Sequence, residues 1–192
     1  MFMEYAKDSY LYNLFAILLR TGLRNGEIRA LKYSDIDRKN NVMHIRHTMK
    51  TITGVGMVED TPKTKTSTRD IPLTPDMIKY IEAQRHFWGF KVTNINGYLF
   101  CDEKGDPLKE DTIKYEIRQV IKKIRQDGKE FPDITPHVFR HTFATRAIEE
   151  GMPPQVLKTI MGHSSLAITM DLYSHVMEDT KQKEMLSIAN AF

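Results

Sequence analysis

TPHVFRHTFATRAIEEGMPPQVLKTIMGHSSLAITMDLYSH, residues 135–175, is the stretch on which the fold of this chain turns. Thr135 and Pro136 form a cap and first-turn pair, and a helix is expected from there until Gly151 stops it. His137 and Arg140 lie three residues apart and so share a side of that helix. Pro153 and Pro154 open a short helix to Ile160, Gly162 and His163 then stand in a loop, and a further helix from about Leu166 precedes Tyr173. Far upstream, TGLRNGE at 21–27 sets Arg24 just behind a glycine at a helix start, beside free backbone amides that suit a phosphate oxygen. Two arginines, two histidines and a tyrosine are the groups needed to grip a phosphodiester and attack it without a metal.

Each of these residues has an ordinary reading when taken alone. Arg24 could simply pair with Glu27, His163 could be a helix cap, and Tyr173 could pack in a core. His137 and His141 stand four apart, as two zinc ligands would, but a zinc-peptidase helix places a glutamate after its first histidine and here Val138 follows. No neighbouring carboxylate or cysteine completes a ligand set, so neither a metal nor any other cofactor is expected. His141 reads instead as a packing or hydrogen-bonding residue. A phenol of reference pKa about 10 needs cationic neighbours or a base to act near neutrality, and two arginines and a histidine would supply them.

Composition bounds the rest. A chain of 192 residues is expected to form one domain, or a large and a small lobe, with enough buried surface to need no staples. Cys101 is its single cysteine, which rules out an internal disulfide and a thiolate metal cluster and fits a cytoplasmic setting. The start, MFMEYAKDSY, has no signal-peptide pattern, and the longest apolar stretch, Leu14 to Leu19, is too short to cross a bilayer. A soluble protein with no membrane partner is expected. The net charge of +3 says little, but its distribution says more. Lys109, Lys114, Arg118, Lys122, Lys123, Arg125 and Lys129 cluster on one helix and its end, as on a nucleic-acid face or a solvated surface.

Hydrophobic spacing places Tyr5, Leu11, Leu14, Phe15, Leu18 and Leu19 on one stripe of a helix over residues 4–20. A second helix follows from Asn25 to Leu31. Alternation around Val42–His47, a short strand at Met57–Val58 and another at Arg69–Leu73 predict a small antiparallel sheet of three strands. Helices are then expected from Thr74 to Phe87 and from Lys109 to Gln126, and residues 177–189 read as a charged amphipathic tail. The class is α+β, mainly helical.

TGLRNGEIRALKYSDID, residues 21–37, resembles the first motif of the tyrosine recombinase (phage integrase) family, and residues 135–176 resemble its second: His-x-x-Arg, then Gly-His, then Tyr. The similarity runs from about residue 10 to 178, and the wording is most like integrases of conjugative transposons and temperate phages of Gram-positive bacteria. The resemblance implies the DNA breaking-rejoining fold, a helical bundle with a small three-stranded antiparallel sheet. It implies that Tyr173 attacks the scissile phosphate, that Arg24 and Arg140 hold its nonbridging oxygens, that His137 assists proton transfer and that His163 binds a phosphate oxygen. It also implies a lysine that protonates the leaving 5′-oxygen. In TPKTKTSTRDIPL, residues 61–73, the pattern favours Lys63, with Lys65 as the alternative.

Lys65, Arg69, Lys114, Arg118 and Lys122 are the basic residues expected to touch DNA. On this resemblance residues 1–178 are expected to be the catalytic domain, residues 179–192 a tail helix that docks on a neighbour or folds back, and the family's core-binding and arm-binding domains are expected to be absent. The implied partners are double-stranded DNA at attachment sites and further copies in a tetramer. The alternatives are a type IB topoisomerase, which shares the chemistry and fold, and a DNA-binding accessory module without catalysis.

Overall fold

The computed structural model describes residues 1–60, 68–87 and 97–177. The helical stripe expected over residues 4–20 is interrupted: Phe2–Tyr5 (α1) and Tyr12–Thr21 (α2) are separate helices. Ser9 is the physical cause. Its hydroxyl accepts the Leu11 backbone N–H at 3.2 Å and donates to Glu116 at 2.8 Å, a local alternative to helical bonding. α2 is apolar nearly all round, with Leu14, Phe15, Ala16, Ile17 and Leu18 each fully buried, so it runs through the centre of the core.

α2 ends at Gly22, in the left-handed conformation with φ 61°. A side chain there would be strained, and its Cβ would also sit 2.5 Å from the ring of Phe143. Asn25–Ala30 (α3) follows, then a 3-10 turn at Tyr33–Asp35. Ile36–Asp37 (β1), Val42–Ile45 (β2), Thr48–Ile52 (β3), Gly56–Asp60 (β4) and Arg69–Pro72 (β5) are the described strands. A three-stranded antiparallel sheet is present, in the order β1-β2-β5, with Met43 opposite Ile71 and Ile45 opposite Arg69.

Its membership differs from expectation. The strand at Met57–Val58 belongs to β4, which among the described residues pairs with β3 in a separate hairpin, while β1 takes the third place in the sheet. Strand partners are set by register and turn geometry, and with Met49 as its one fully buried side chain the hairpin carries little of the alternation that would join it to the sheet. The hairpin is held against α3 at Gly26, where an added Cβ would come within 2.7 Å of the Met49 carbonyl.

The helices after the sheet lie close to their expected bounds: Pro75–Phe87 (α4), Glu110–Gln126 (α5), Pro136–Glu149 (α6), Pro154–Met161 (α7) and Leu166–Val176 (α8). α8 runs through Tyr173 instead of ending before it. α5 turns Ile113, Ile117, Val120, Ile121 and Ile124 inward, each burial being worth about 1.5–3 kcal/mol. α6 is anchored by Phe139, stacked on Phe15 at 5.4 Å and set edge-on to Phe2 at 5.3 Å. Ala144, Ala147, Ile148, Leu157 and Met161 form a second small core, onto which Leu172, Tyr173 and Val176 of α8 pack. Among the described residues no helix is long and apolar enough to cross a membrane.

Candidate active site

The C-terminal end of α7 is where the charged groups converge. Gly162 closes this helix in the left-handed conformation, φ 64°. The last carbonyls of a helix lack partners within it and carry partial negative charge. Three in succession, those of Ile160, Met161 and Gly162, each accept a hydrogen bond from a different arginine. Arg69 of β5 donates from Nε at 2.6 Å, Arg140 of α6 from Nη2 at 2.7 Å, and Arg24 at the start of α3 from Nη2 at 2.7 Å. Arg140 also donates from Nη1 to the carbonyl of Gly22 at 2.6 Å, so its guanidinium lies between the C-terminal ends of α2 and α7. The α2–α6 approach that Gly22 permits is therefore also what places this arginine.

Glu27 balances the cations from below. It is 3% exposed, and its carboxylate receives four hydrogen bonds. Oε1 accepts from Arg24 Nη1 at 2.8 Å and Arg69 Nη1 at 2.9 Å, and Oε2 accepts from Arg69 Nη2 and the Arg24 backbone N–H, both at 2.8 Å. Burial alone would raise its pKa. The bonds and charge of Arg69, joined by those of Arg24, outweigh that and hold the carboxyl below its ordinary value. Arg140, 5% exposed, is pushed down to about 9 by burial and by the charges of Arg24 and Arg69, against the pull of Glu27, and stays protonated at neutral pH.

His163 follows Gly162 directly and is buried, with Nδ1 2.9 Å from the hydroxyl of fully buried Thr169. Burial, then the charges of Arg140, Arg24 and Arg69, push its pKa down to about 4, so the ring is neutral at pH 7. Arg24, by contrast, has a side chain 40% exposed and spends only two of its side-chain N–H donors on protein partners. Fixed donors on a rigid backbone, with a half-open guanidinium in front, are what an oxyanion requires.

Not every residue singled out from the sequence joins this group. Arg24, Arg140 and His163 are brought together. His137 and His141 are exposed on α6, and among the described residues no cluster of three or more His, Cys, Asp or Glu is placed to hold a metal ion. The Tyr173 hydroxyl is buried and finds no hydrogen-bond partner among the described residues, where Tyr173 packs on the small core of α6, α7 and α8, and burial pushes its pKa up. Lys63 and Lys65 lie outside the described residues.

Arg69 requires a correction. Expected to touch DNA, it is 5% exposed, with its fork closed on Glu27 and Ile160. The signal was available: in Arg69-Asp70-Ile71-Pro72-Leu73, strand alternation puts Arg69 on the inward face of Ile71 and Leu73. Glu27 and Thr169 are the other members that sequence reasoning missed, Glu27 having been read only as a surface partner of Arg24. Of the α5 cations, Lys114 pairs with Glu110 at 2.7 Å, while Arg118 and Lys122 line an open groove with Arg125 and Asp133.

The model of the phage integrase family matches residues 1–179. The chain belongs to that family. The transposase of transposon Tn916 from Enterococcus faecalis is 34% identical over 181 residues, covering 91% of this chain and 44% of the relative. The ICEBs1 integrase of Bacillus subtilis is 30% identical over 190 residues, covering 93% and 48%. The Tn1549 transposon integrase, solved with transposon right-end DNA, superposes with a TM-score of 0.85 at 30% identity over 98% of this chain and 63% of that one. As a phage integrase relative, the chain thus has the helical bundle and three-stranded sheet expected of the DNA breaking-rejoining fold. It spans about half the length of the curated relatives it matches.

Proposed function

We propose that this chain carries the catalytic machinery of a site-specific DNA recombinase, which integrates and excises a mobile element by breaking and rejoining strands through a 3′-phosphotyrosine. The observation that carries the reading is the set of guanidinium groups and His163 fixed at the end of α7, with Tyr173 on the next helix. In the reaction Tyr173 Oη forms a bond to phosphorus as the P–O5′ bond breaks. Arg24 and Arg140 hold the two nonbridging oxygens, where charge grows in the pentavalent transition state. His163, uncharged at neutral pH, offers a hydrogen bond to the same phosphate. His137 takes the phenolic proton, and Lys63 or Lys65 delivers one to the departing 5′-oxygen. The covalent link conserves the phosphodiester, so the 5′-hydroxyl of another strand can reverse the step without ATP.

The described position of Tyr173 is a resting one. An unpaired buried hydroxyl costs about 1–3 kcal/mol, and its raised pKa makes it a poor nucleophile. α8 has to shift on DNA to bring the phenol among the cations. The partners of this reading are duplex attachment sites and further copies of the protein in a tetramer, with Arg118 and Lys122 on the DNA side of α5. The setting is cytoplasmic. The relatives, a transposon transposase and an element integrase, favour recombination over topoisomerase activity.

The test is a nicked duplex spanning the attachment junction of the element that carries this chain. Covalent adduct should form on a denaturing gel and persist in excess EDTA. Loss of adduct with chelator, restored by one divalent ion, would transfer the chemistry to a metal and remove His137 from its role.

A further inference from the structure

Arg69 is enclosed at the site, its side chain 2% exposed, and among the described residues its hydrogen bonds go to Glu27 and Ile160. Three of its N–H donors meet the two groups that decide how Arg24 is held. Nη1 and Nη2 take one oxygen each of Glu27, and Nε takes the Ile160 carbonyl, two residues before the carbonyl that anchors Arg24. We infer that Arg69 is a positioning residue for cleavage: by saturating Glu27 it keeps that carboxylate from drawing Arg24 into a closed pair and so leaves the Arg24 guanidinium turned toward the scissile phosphate.

The donor count carries this. Glu27 has about four acceptor sites, and all four are in use, two of them on Arg69. A carboxylate 3% exposed cannot turn to water for replacements. With the Arg69 fork removed, the nearest donor with N–H groups to spare is Arg24. A bidentate pair with Glu27 would be the strongest contact open to it, and the guanidinium would rotate away from solvent. Lysine in place of Arg69 keeps the charge but is a single point donor, unable to cover both carboxylate oxygens and the Ile160 carbonyl together. The fixed geometry of the α7 end depends on the same fork. Ile160, Met161 and Gly162 are each tied to one arginine, so slack at Ile160 passes directly to the carbonyls that seat Arg140 and Arg24.

This inference rests on the recombinase reading, and the test separates the two. Arg24 matters for cleavage because it faces a charged nonbridging oxygen. A methylphosphonate at the scissile position has one such oxygen replaced by a methyl group, so the phosphate charge that the arginine offsets is gone. Tyrosine attack on it is otherwise the same: one P–O bond forms and the P–O5′ bond breaks. Arg24→Ala should lose on the order of 10²–10³ in single-turnover cleavage of the ordinary phosphodiester and much less on the methylphosphonate. Arg69→Lys should follow the same pattern at smaller size, about tenfold or more on the phosphodiester and near wild type on the methylphosphonate, with DNA affinity unchanged. Equal loss on both substrates would make Arg69 merely structural, and no loss on either would remove it from the reaction; both results overturn the inference. If Arg24→Ala itself fails to distinguish the substrates, the assignment of Arg24 to the phosphate falls first. Should Arg69→Lys not fold, the double change Arg69→Met with Glu27→Gln leaves neither an unpaired buried charge nor a carboxylate to draw Arg24 away, so its selective loss on the phosphodiester must be well below that of Arg24→Ala; a loss as large would overturn the inference.

Discussion

His163 reports most directly on whether the cationic group is built for a phosphate. Its imidazole is held neutral by burial and by three neighbouring guanidinium charges, and an anion among them would cancel much of that repulsion. Inorganic sulfate or phosphate should therefore raise the His163 pKa from about 4 toward its ordinary 6.5, observable by NMR of the ring carbons during a pH titration. An unchanged pKa at saturating anion would place the binding site elsewhere. The sign for stability follows from the same shift. The folded pKa lies below the unfolded one, so between about 6.5 and 4 the unfolded chain binds the extra proton and stability falls as pH drops. Glu27, held below its ordinary value, adds to that loss in more acid solution.

At the level of elements, the segment joining β4 to β5 bears the decision between Lys63 and Lys65. A general acid matters only while the leaving group is poor, and a bridging 5′-phosphorothiolate leaves as a thiolate without one. Lys63→Ala should cripple cleavage of ordinary DNA and spare the sulfur substrate, while Lys65→Ala shows a smaller defect equal on both. The opposite pattern would assign the proton to Lys65. Helices α4 to α7 were legible within a residue or so because their caps, prolines and apolar periods agree. The hairpin was not: Gly54 and Gly56, both at positive φ, mark the turn that pairs Met57–Val58 with residues 48–52, but that strand was joined to the sheet of Val42–His47 and Arg69–Leu73 instead. Arg69 was misread for a related reason: charge was weighed ahead of strand alternation, and an inward cation is only plausible once a buried carboxylate 42 positions away is known to meet it. Ser9 shows the converse, one hydroxyl bonding locally just before α2 in a stretch that the apolar period alone would have kept helical.

Across the whole molecule, two cores divide the work. The large one, built on α2, α5 and the Phe2–Phe15–Phe139 stack, fixes Arg140 and the start of α3. The small one, of α6, α7 and α8, holds His163 on one side and the Tyr173 hydroxyl on the other. The pattern of residues 135–175 pointed to Arg140 and His163, which the structure sets side by side, but not to His137 standing exposed or the tyrosine resting apart from the arginines. That separation depends on how α8 packs, which a motif does not record. The proposed reaction would then need α8 to deliver its phenol across the boundary between apolar core and cationic pocket. The measurement that bears most directly on this is mass spectrometry of the covalent species formed on nicked attachment-site DNA. The account predicts a nucleotide joined through its 3′-phosphate to Tyr173, and no such species with Tyr173→Phe, which should still bind the duplex. A 3′-phosphate on any other residue, or adduct at the wild-type level with Tyr173→Phe, would contradict it.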